Sequence, residues 1–445
     1  MPVEDHRTSA RPPIRVVGYL SSAFGLGIAA DNTVRVLRDS GRDVSVIDID
    51  PGSGRFGRDD TWASLAAPER ATGPAAIDVF HMNPPEVPVL HEQWRRRIRP
   101  SADFAACVPF WELPVLPAAW APVLDCFDLV LAPTEFVRDA CEAAITRPVL
   151  HYPQAVFVPD DIEPDRERFG LPAEATAFLV AFDVESDMSR KNPFAAIDAF
   201  RRAFGDSAES LLVVKVNSSD LGEAQQAQLD RLAIAVDGLP NVRLIQSNLS
   251  YRDVLALYAS CDALVSLHRS EGLGLHLMEA MSLGRVVVAT GWSGNMDFMG
   301  EGDSCLVPYS LVPVESTHSA YAPEVGRDGQ VWAEPDIEAA AAIMCHLHED
   351  PTWRAMVGDR AAASMTRRRA RVLRAEPIEE AERLARELWD APVETHAEHD
   401  LRMRRLAALR HTAPGAPGPV GEVLLRARRA TVRALRASGL YPKSE

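Results

Sequence analysis

The feature that most constrains this chain is an alternation of short apolar runs with helical stretches that occurs twice, on either side of one polar joint. In the first half, Arg15–Leu20, Asp43–Asp48, Ile77–Met82, Phe104–Val108, Asp128–Leu131 and Val149–Tyr152 read as strands. Segments with apolar residues at helical spacing, such as Ile28–Arg38 and Thr134–Ala144, lie between several of them. Near Pro159–Pro172 the sequence turns polar and proline-bearing, as a linker does. The alternation then restarts, with strands at Ala177–Phe182, Leu211–Val216, Val242–Gln246, Ala263–Leu267 and Arg285–Ala289. Helices fit Pro193–Phe204, Ala224–Ala235, Tyr251–Ser260 and Leu275–Leu283. Strands alternating with helices imply a parallel sheet covered on both faces. Two such units in 445 residues, a length beyond one ordinary core, imply two Rossmann-like α/β domains facing across a cleft.

From Asp336 onward the sequence shows no strand. Helical stretches cover Asp336–His348, Thr352–Arg369 and Pro377–Leu388, followed by a Pro/Gly-rich joint, Thr412–Gly421, and a last helix, Glu422–Ser438. The expected organisation is a disordered lead-in over 1–13, an acceptor domain over 14–165 and a donor domain over 173–350. A helical C-terminal extension over 351–400 and a linker with a basic helix over 412–445 complete it.

Composition narrows the class. The chain is 47% hydrophobic and 25% charged, as ordinary globular proteins are, and no run of about 18 apolar residues could form a membrane-spanning helix. Met1–Pro13 lacks the apolar stretch of a signal peptide. The six cysteines (Cys107, Cys126, Cys141, Cys261, Cys305 and Cys345) form no CxxC pair and sit mostly among apolar residues, which points to free thiols in a reducing cytoplasm. His346 and His348 alone make a poor metal site and fit an exposed helical face. A net charge of −16 argues against nucleic-acid binding, yet it is unevenly spread. From Leu401 to Glu445 ten Lys/Arg face two Asp/Glu, so residues 1–400 carry −24. A basic tail on an acidic body suits a tethered or surface-docking segment.

The run with the most chemistry is Ser270-Glu271-Gly272-Leu273-Gly274-Leu275-His276-Leu277-Met278-Glu279-Ala280-Met281. It follows a strand, turns on glycines and opens a helix. Glycines let backbone approach a ligand, and the free N–H groups of a helix start favour phosphate oxygens. Glu271 falls in the turn and Glu279 inside the helix, where either can address hydroxyls or merely complement the helix dipole. A second run, Asp183 to Pro193, places Arg190 and Lys191 at a helix entrance, a pairing suited to a diphosphate or to a solvated surface. A third, Gly18 to Gly27, carries Gly25 and Gly27 between the first strand and a helix. With Asp48 and Asp50 after the next strand, that piece alone also admits a dinucleotide-binding oxidoreductase. His81 and Asn83 follow a strand, where they face the cleft or form a structural turn. Glu112, in Phe110-Trp111-Glu112-Leu113, follows another, as a site carboxylate or an exposed loop residue.

The Ser270–Met281 segment resembles the EGFGLxxxEAM signature of retaining glycosyltransferases of the GT-B fold, family 4 type. The resemblance implies that Glu271 contacts the donor sugar, that the amides of Gly272, Leu273, Gly274 and Leu275 meet sugar and phosphate, and that Glu279 holds the ribose. That family commonly carries a pattern like GRxxxxKG before the next helix. Here Phe182-Asp183 stands in place of Gly-Arg, so the resemblance puts the diphosphate on Lys191 with Arg190 as the substitute cation. It turns the Gly25–Gly27 loop toward the donor diphosphate and the acceptor, and it puts Glu112 where many members place a histidine beside the reacting sugar. The run Thr290 to Phe298 is similar to the SGNMDFM stretch of a polysaccharide-associated branch, and Tyr309 and Trp332-Ala333-Glu334-Pro335 continue that likeness. Gly294 and Asn295 then touch donor phosphate or acceptor, or only pack. The likeness spans Arg15 to Arg369 and is closest from Phe178 to Pro335.

The implied activity is transfer of a hexose from a GDP- or UDP-linked nucleotide sugar to a hydroxyl of a glycan, lipid-linked acceptor or secondary metabolite, with retention of anomeric configuration. Cations and helix-start amides neutralise the phosphates, so no metal and no other cofactor is expected. Two rivals stand beside it. A nucleotide-sugar epimerase can share the architecture, though the glutamate-bearing motif argues against it, and the presence of both motif glutamates argues against a sugar-binding paralogue that has lost turnover. The expected location is cytoplasmic. In a helix over 422–438, Arg426, Arg429, Arg433 and Arg436 share one face. That face suits weak association with the inner membrane surface, or packing on the acidic body or on a second subunit.

Overall fold

The computed structural model describes residues 11–22, 24–49, 61–66, 76–87, 104–217 and 221–391, together with 395, 398 and 401. Most of the lead-in, Asp50 and the basic segment 412–445 lie outside the described residues.

Two six-stranded sheets organise the molecule. The first contains β1 (Ile14–Gly18), β2 (Val44–Asp48), β3 (Ile77–His81), β4 (Phe104–Cys107), β5 (Leu129–Ala132) and β6 (Val149–His151) in the order β2-β1-β3-β4-β5-β6. The second contains β7 (Thr176–Asp183), β8 (Ser210–Asn217), β9 (Val242–Gln246), β10 (Ala263–Ser266), β11 (Val286–Thr290) and β12 (Cys305–Val307) in the order β12-β11-β10-β7-β8-β9. All pairings within the two sheets are parallel. From β9 inward the second sheet has the doubly wound order, with its switch point between β7 and β10. The first sheet reverses between β1 and β3, and a single parallel bridge from Val46 to Ala66 extends it beyond β2.

Apolar residues on both faces explain why these runs are buried strands. Along β7, Phe178, Val180 and Phe182 enter one core while Ala177 and Leu179 enter the other. Along β3, Phe80 and Ile77 divide in the same way. The three C-terminal helices then divide between the domains. Ile337–Glu349 packs Ala340, Met344 and Leu347 against the second sheet's core with Phe200. Pro351–Val372 packs Ala361 and Met365 beside Leu277 and Met281. Glu376–Trp389 crosses back, burying Ile378, Ala381 and Ala385 with Ile14, Val16 and Val79 of the first domain. Glu382 of that helix pairs with the buried Arg42 at 3.1 Å.

One excursion leaves the second domain. Strands β13 (Tyr309–Pro313) and β14 (Val331–Pro335) pair antiparallel, and the chain between them runs onto the first domain. Val314, Tyr321 and Trp332 share a core with Trp111, Leu113 and Trp120.

Candidate active site

The turn between β10 and the helix Leu275–Ser282 sits at the second sheet's switch point, where a ligand at the carboxyl ends of the strands belongs. Gly274 takes a left-handed φ of 95° and offers the helix no side-chain cap. The first N–H groups of that helix are therefore left to a ligand or to water. Glu271 is held on both sides of its peptide. Its N–H donates to Ser293 Oγ at 2.8 Å, and its carbonyl accepts from the Gly294 N–H at 2.8 Å. Gly272 lies so close to the first domain that an added Cβ would meet the Trp111 carbonyl at 2.8 Å. Its own carbonyl accepts from Thr134 Oγ1 at 3.0 Å. Leu273 is buried in the second core and Leu275 partly so.

Both cations of the second motif converge on this turn. Asp187 caps the short helix Met188–Lys191, accepting from the Ser189 N–H at 2.8 Å, and so aims Arg190 and Lys191 inward. Lys191 Nζ donates to Glu271 Oε1. Arg190 donates to the Ser270 carbonyl at 2.9 Å and lies 3.2 Å from Glu271 Oε2 and 3.9 Å from Glu112 Oε1. Glu271 is 5% exposed and Arg190 4%. Burial alone would raise the Glu271 pKa, but the charges of Lys191 and Arg190 outweigh it and hold the carboxyl below the usual range. Beneath the turn, His268 is fully buried between Ser266 Oγ at 3.0 Å and Asn295 Oδ1 at 3.1 Å. Asn295 spends its amide on the Thr290 carbonyl at 3.0 Å, so its oxygen faces His268 and fixes the tautomer with the proton on Nε2. Burial lowers the His268 pKa and keeps the ring neutral.

Glu279 lies one turn into the helix, 4% exposed, with the Tyr251 hydroxyl donating to it at 2.8 Å. Burial raises its pKa to about 7. Glu112 reaches the cluster from the first domain. The Tyr321 hydroxyl donates to its Oε2 at 2.9 Å, and Ser270 Oγ donates to its backbone carbonyl.

The remaining sequence candidates lie around this cluster. Gly25 opens the helix Gly25–Asp39, and Gly27 packs against the backbone of Tyr19 and Ser22. Asn83 accepts from the Phe110 N–H at 2.9 Å and so secures the loop that carries Glu112. His81 ends β3 at zero exposure, with the Phe110 ring centroid 6.3 Å away. Neither ring nitrogen has a partner among the described residues, and burial lowers its pKa to about 3. Gly294 packs under Gly272, and Asn295 is fully buried. The fold thus brings Glu271, Arg190, Lys191, Glu112 and Gly272 together, with Glu279 nearby, and puts Asn295 in a supporting layer. Sequence reasoning missed Thr134, Tyr251, His268, Ser293 and Tyr321. Ser293 was within reach, since it adjoins Gly294, whereas nothing near Tyr321 in the sequence signals chemistry. Among the described residues no group of three His, Cys, Asp or Glu is placed to hold a metal ion.

Residues 166–362 match the family model described as Glycosyl transferases group 1. No curated protein sequence matches the chain. Among solved structures it is similar to sucrose-phosphate synthase of Thermosynechococcus elongatus, at 14% identity over 84% of this chain and 100% of that one, with a TM-score of 0.59. It is also similar to HepE of Anabaena in complex with UDP and glucose, at 15% identity over 83% and 100%, with a TM-score of 0.55. A third is the E. coli protein described as trehalose-6-phosphate bound with UDP-2-fluoro glucose, at 11% identity over 83% and 99%, with a TM-score of 0.57. These likenesses show the fold, which is GT-B.

Proposed function

We propose that this chain, whose second domain is a glycosyl transferases group 1 domain on a GT-B scaffold, transfers a hexose from a nucleotide-diphosphate sugar to an acceptor hydroxyl with retention. The observation that carries the reading is the convergence of Lys191 and Arg190 on the buried Glu271, beside an uncapped helix start at the switch point. Such a site meets a diphosphate with two cations and backbone N–H groups and meets sugar hydroxyls with a carboxylate. In the reaction, the bond from the anomeric carbon to the phosphate oxygen breaks while the acceptor oxygen bonds on the same face. The acceptor's proton passes to the departing phosphate oxygen, whose charge Lys191 and Arg190 stabilise. Glu271 orients the donor sugar, Glu279 the ribose, and Glu112 approaches from the acceptor side.

We take the donor to be UDP-linked in the first instance, since HepE is described with UDP and UDP-glucose. A GDP-linked donor is the alternative, and the acceptor is a glycan or lipid-linked glycan. Six free thiols accord with a cytoplasmic location. The test is to incubate the protein with UDP- and GDP-hexoses and an acceptor panel, following nucleotide release and the anomeric NMR signal of the product. Nucleotide release that depends on acceptor, with the donor's configuration kept, is expected. Inversion, or an isomerised sugar without transfer, would sink the reading. Lys191→Ala should weaken UDP binding about tenfold or more while leaving uridine binding nearly unchanged, because a charge-assisted bond to phosphate is lost. Calorimetric titration with the two ligands checks it, and equal losses would take Lys191 off the phosphates.

A further inference from the structure

The excursion between β13 and β14 is the part of the molecule that the proposed chemistry leaves unexplained. It begins and ends in the second domain, yet it binds two loops of the site at once. Toward the first domain, the Gln330 side chain donates to the Val115 carbonyl at 2.9 Å and accepts from the Val115 N–H at 3.3 Å. One amide side chain thus completes a peptide as a neighbouring strand would. Gln330 is 4% exposed and also donates to Glu324, itself 3% exposed, at 2.6 Å. Arg327 donates to the same Glu324 carboxylate. Toward the second domain, Ser316 Oγ donates to Asp187, the cap of the helix that carries Arg190 and Lys191. His318 Nε2 lies 3.0 Å from the Glu185 carbonyl on the loop before it.

Tyr321 stands where these contacts meet. Its ring packs on Trp111 with centroids 5.6 Å apart, and the Arg190 guanidinium lies over it at 5.7 Å. Its hydroxyl donates to Glu112 Oε2 at 2.9 Å. The ring is 4% exposed, so the group is fixed by packing and has one polar task.

We propose that residues 314–330 are a clasp that sets the Glu112 loop in register with the Arg190–Lys191 helix, and that Tyr321 is the positioning residue through which it acts on the Glu112 carboxylate. Resting on the proposed function for the role of Glu112, this makes a first-domain group dependent on a second-domain segment. The Glu112 carboxylate, on a first-domain loop, takes its hydrogen bond from a donor that arrives only when both domains are in place.

The test uses the full chain. Tyr321→Phe keeps the ring and removes the hydroxyl. Its turnover should fall about 10- to 100-fold, the range of one hydrogen bond to a charged group, while UDP affinity and melting temperature stay near wild type. In a Glu112→Gln background the same change should cost little more, because its partner is already altered. A structural role for Tyr321 would instead multiply the two losses. Gln330→Ala should speed amide exchange at Val115 at least tenfold, whatever the activity. Wild-type turnover in Tyr321→Phe, multiplied losses in the double variant, or unchanged exchange at Val115 would each overturn the clasp. If the wild-type protein transfers no sugar from any donor, the proposed function fails, and the exchange measurement still decides whether the clasp exists.

Discussion

Glu271 and Glu279 lie eight positions apart on one turn and helix, and the fold drives their protons in opposite directions. Both are nearly buried, so desolvation pushes both pKa values up. Lys191 and Arg190 reverse that push at Glu271. Glu279 has the Tyr251 hydroxyl in place of a cation, and its pKa rises from the ordinary 4.5 to about 7. A folded pKa above the unfolded one means that the folded chain keeps a proton which the unfolded chain releases between those values. The stability linked to Glu279 is therefore full below 4.5 and is lost as pH rises through 7. Glu279→Gln is neutral at every pH and removes that slope. Relative to wild type, its stability in urea titrations should rise by about 2–3 kcal/mol between pH 5 and pH 8. A difference that stays flat over that range would show that Glu279 does not keep its proton in the folded state. The spacing of the two glutamates is visible in the sequence. Their opposite surroundings are not, because Lys191 and Tyr251 come from elements far along the chain.

Buried parallel strands were legible because each is apolar on both faces and stands out as a continuous run. Every strand expected from such runs in the two sheets is present, with ends moved by a residue or two. The strands that escaped notice lack that signal. β12 is an apolar run of only three residues, four of the five residues of β13 are exposed, and in β14 the apolar Val331-Trp332-Ala333 stops at Glu334 and Pro335. The helical spacing of Pro377–Leu388 was equally plain, but not its destination. Ile378, Ala381 and Ala385 would suit either sheet, and only the completed chain shows them closing the first. That placement carries a prediction. Ile378 is fully buried in the first domain's core, on a helix that lies over β3 and β4, so Ile378→Ala should cost about 2–5 kcal/mol. Amide exchange should rise in β3 and β4 while β7 and β8 keep their protection. Loss spread evenly over both sheets would mean that this helix does not belong to the first domain's core.

At the scale of the whole molecule, the domains meet at a second place besides the clasp, and one carboxylate organises it. Asp297, on the stretch after Gly294 and Asn295, has a side chain 4% exposed. It accepts from Arg368 at 3.0 Å and from the Glu135 N–H at 3.1 Å, and it lies 3.1 Å from His151 Nε2. Arg368 in turn donates to the Gln154 carbonyl at 2.8 Å. Glu135, His151 and Gln154 belong to the first half of the chain, so Arg368 and Asp297 fasten the second domain to it three residues from Gly294, whose N–H donates to the Glu271 carbonyl. Arg368→Ala leaves that carboxylate buried with one cation fewer, a loss of about 3 kcal/mol of stability, and removes the bond to the Gln154 carbonyl that crosses between the domains. Calorimetry is expected to show one unfolding step for the wild type and two for the variant. On the proposed function, UDP affinity should hold, since Arg190, Lys191 and the helix start at Leu275 all lie in the second domain, while turnover that needs Glu112 in register should fall. Acid should have a related effect. Burial would raise the Asp297 pKa, but His151 and Arg368 outweigh it and bring it below the ordinary 3.8. Its contribution is therefore present above 3.8 and is lost as pH falls below that value toward the folded one. In Arg368→Ala the carboxyl loses one of the groups that keep it ionised, so the acid limb of the calorimetric stability curve should move to higher pH. A single transition with an unmoved acid limb would show that Arg368 does not hold the domains together.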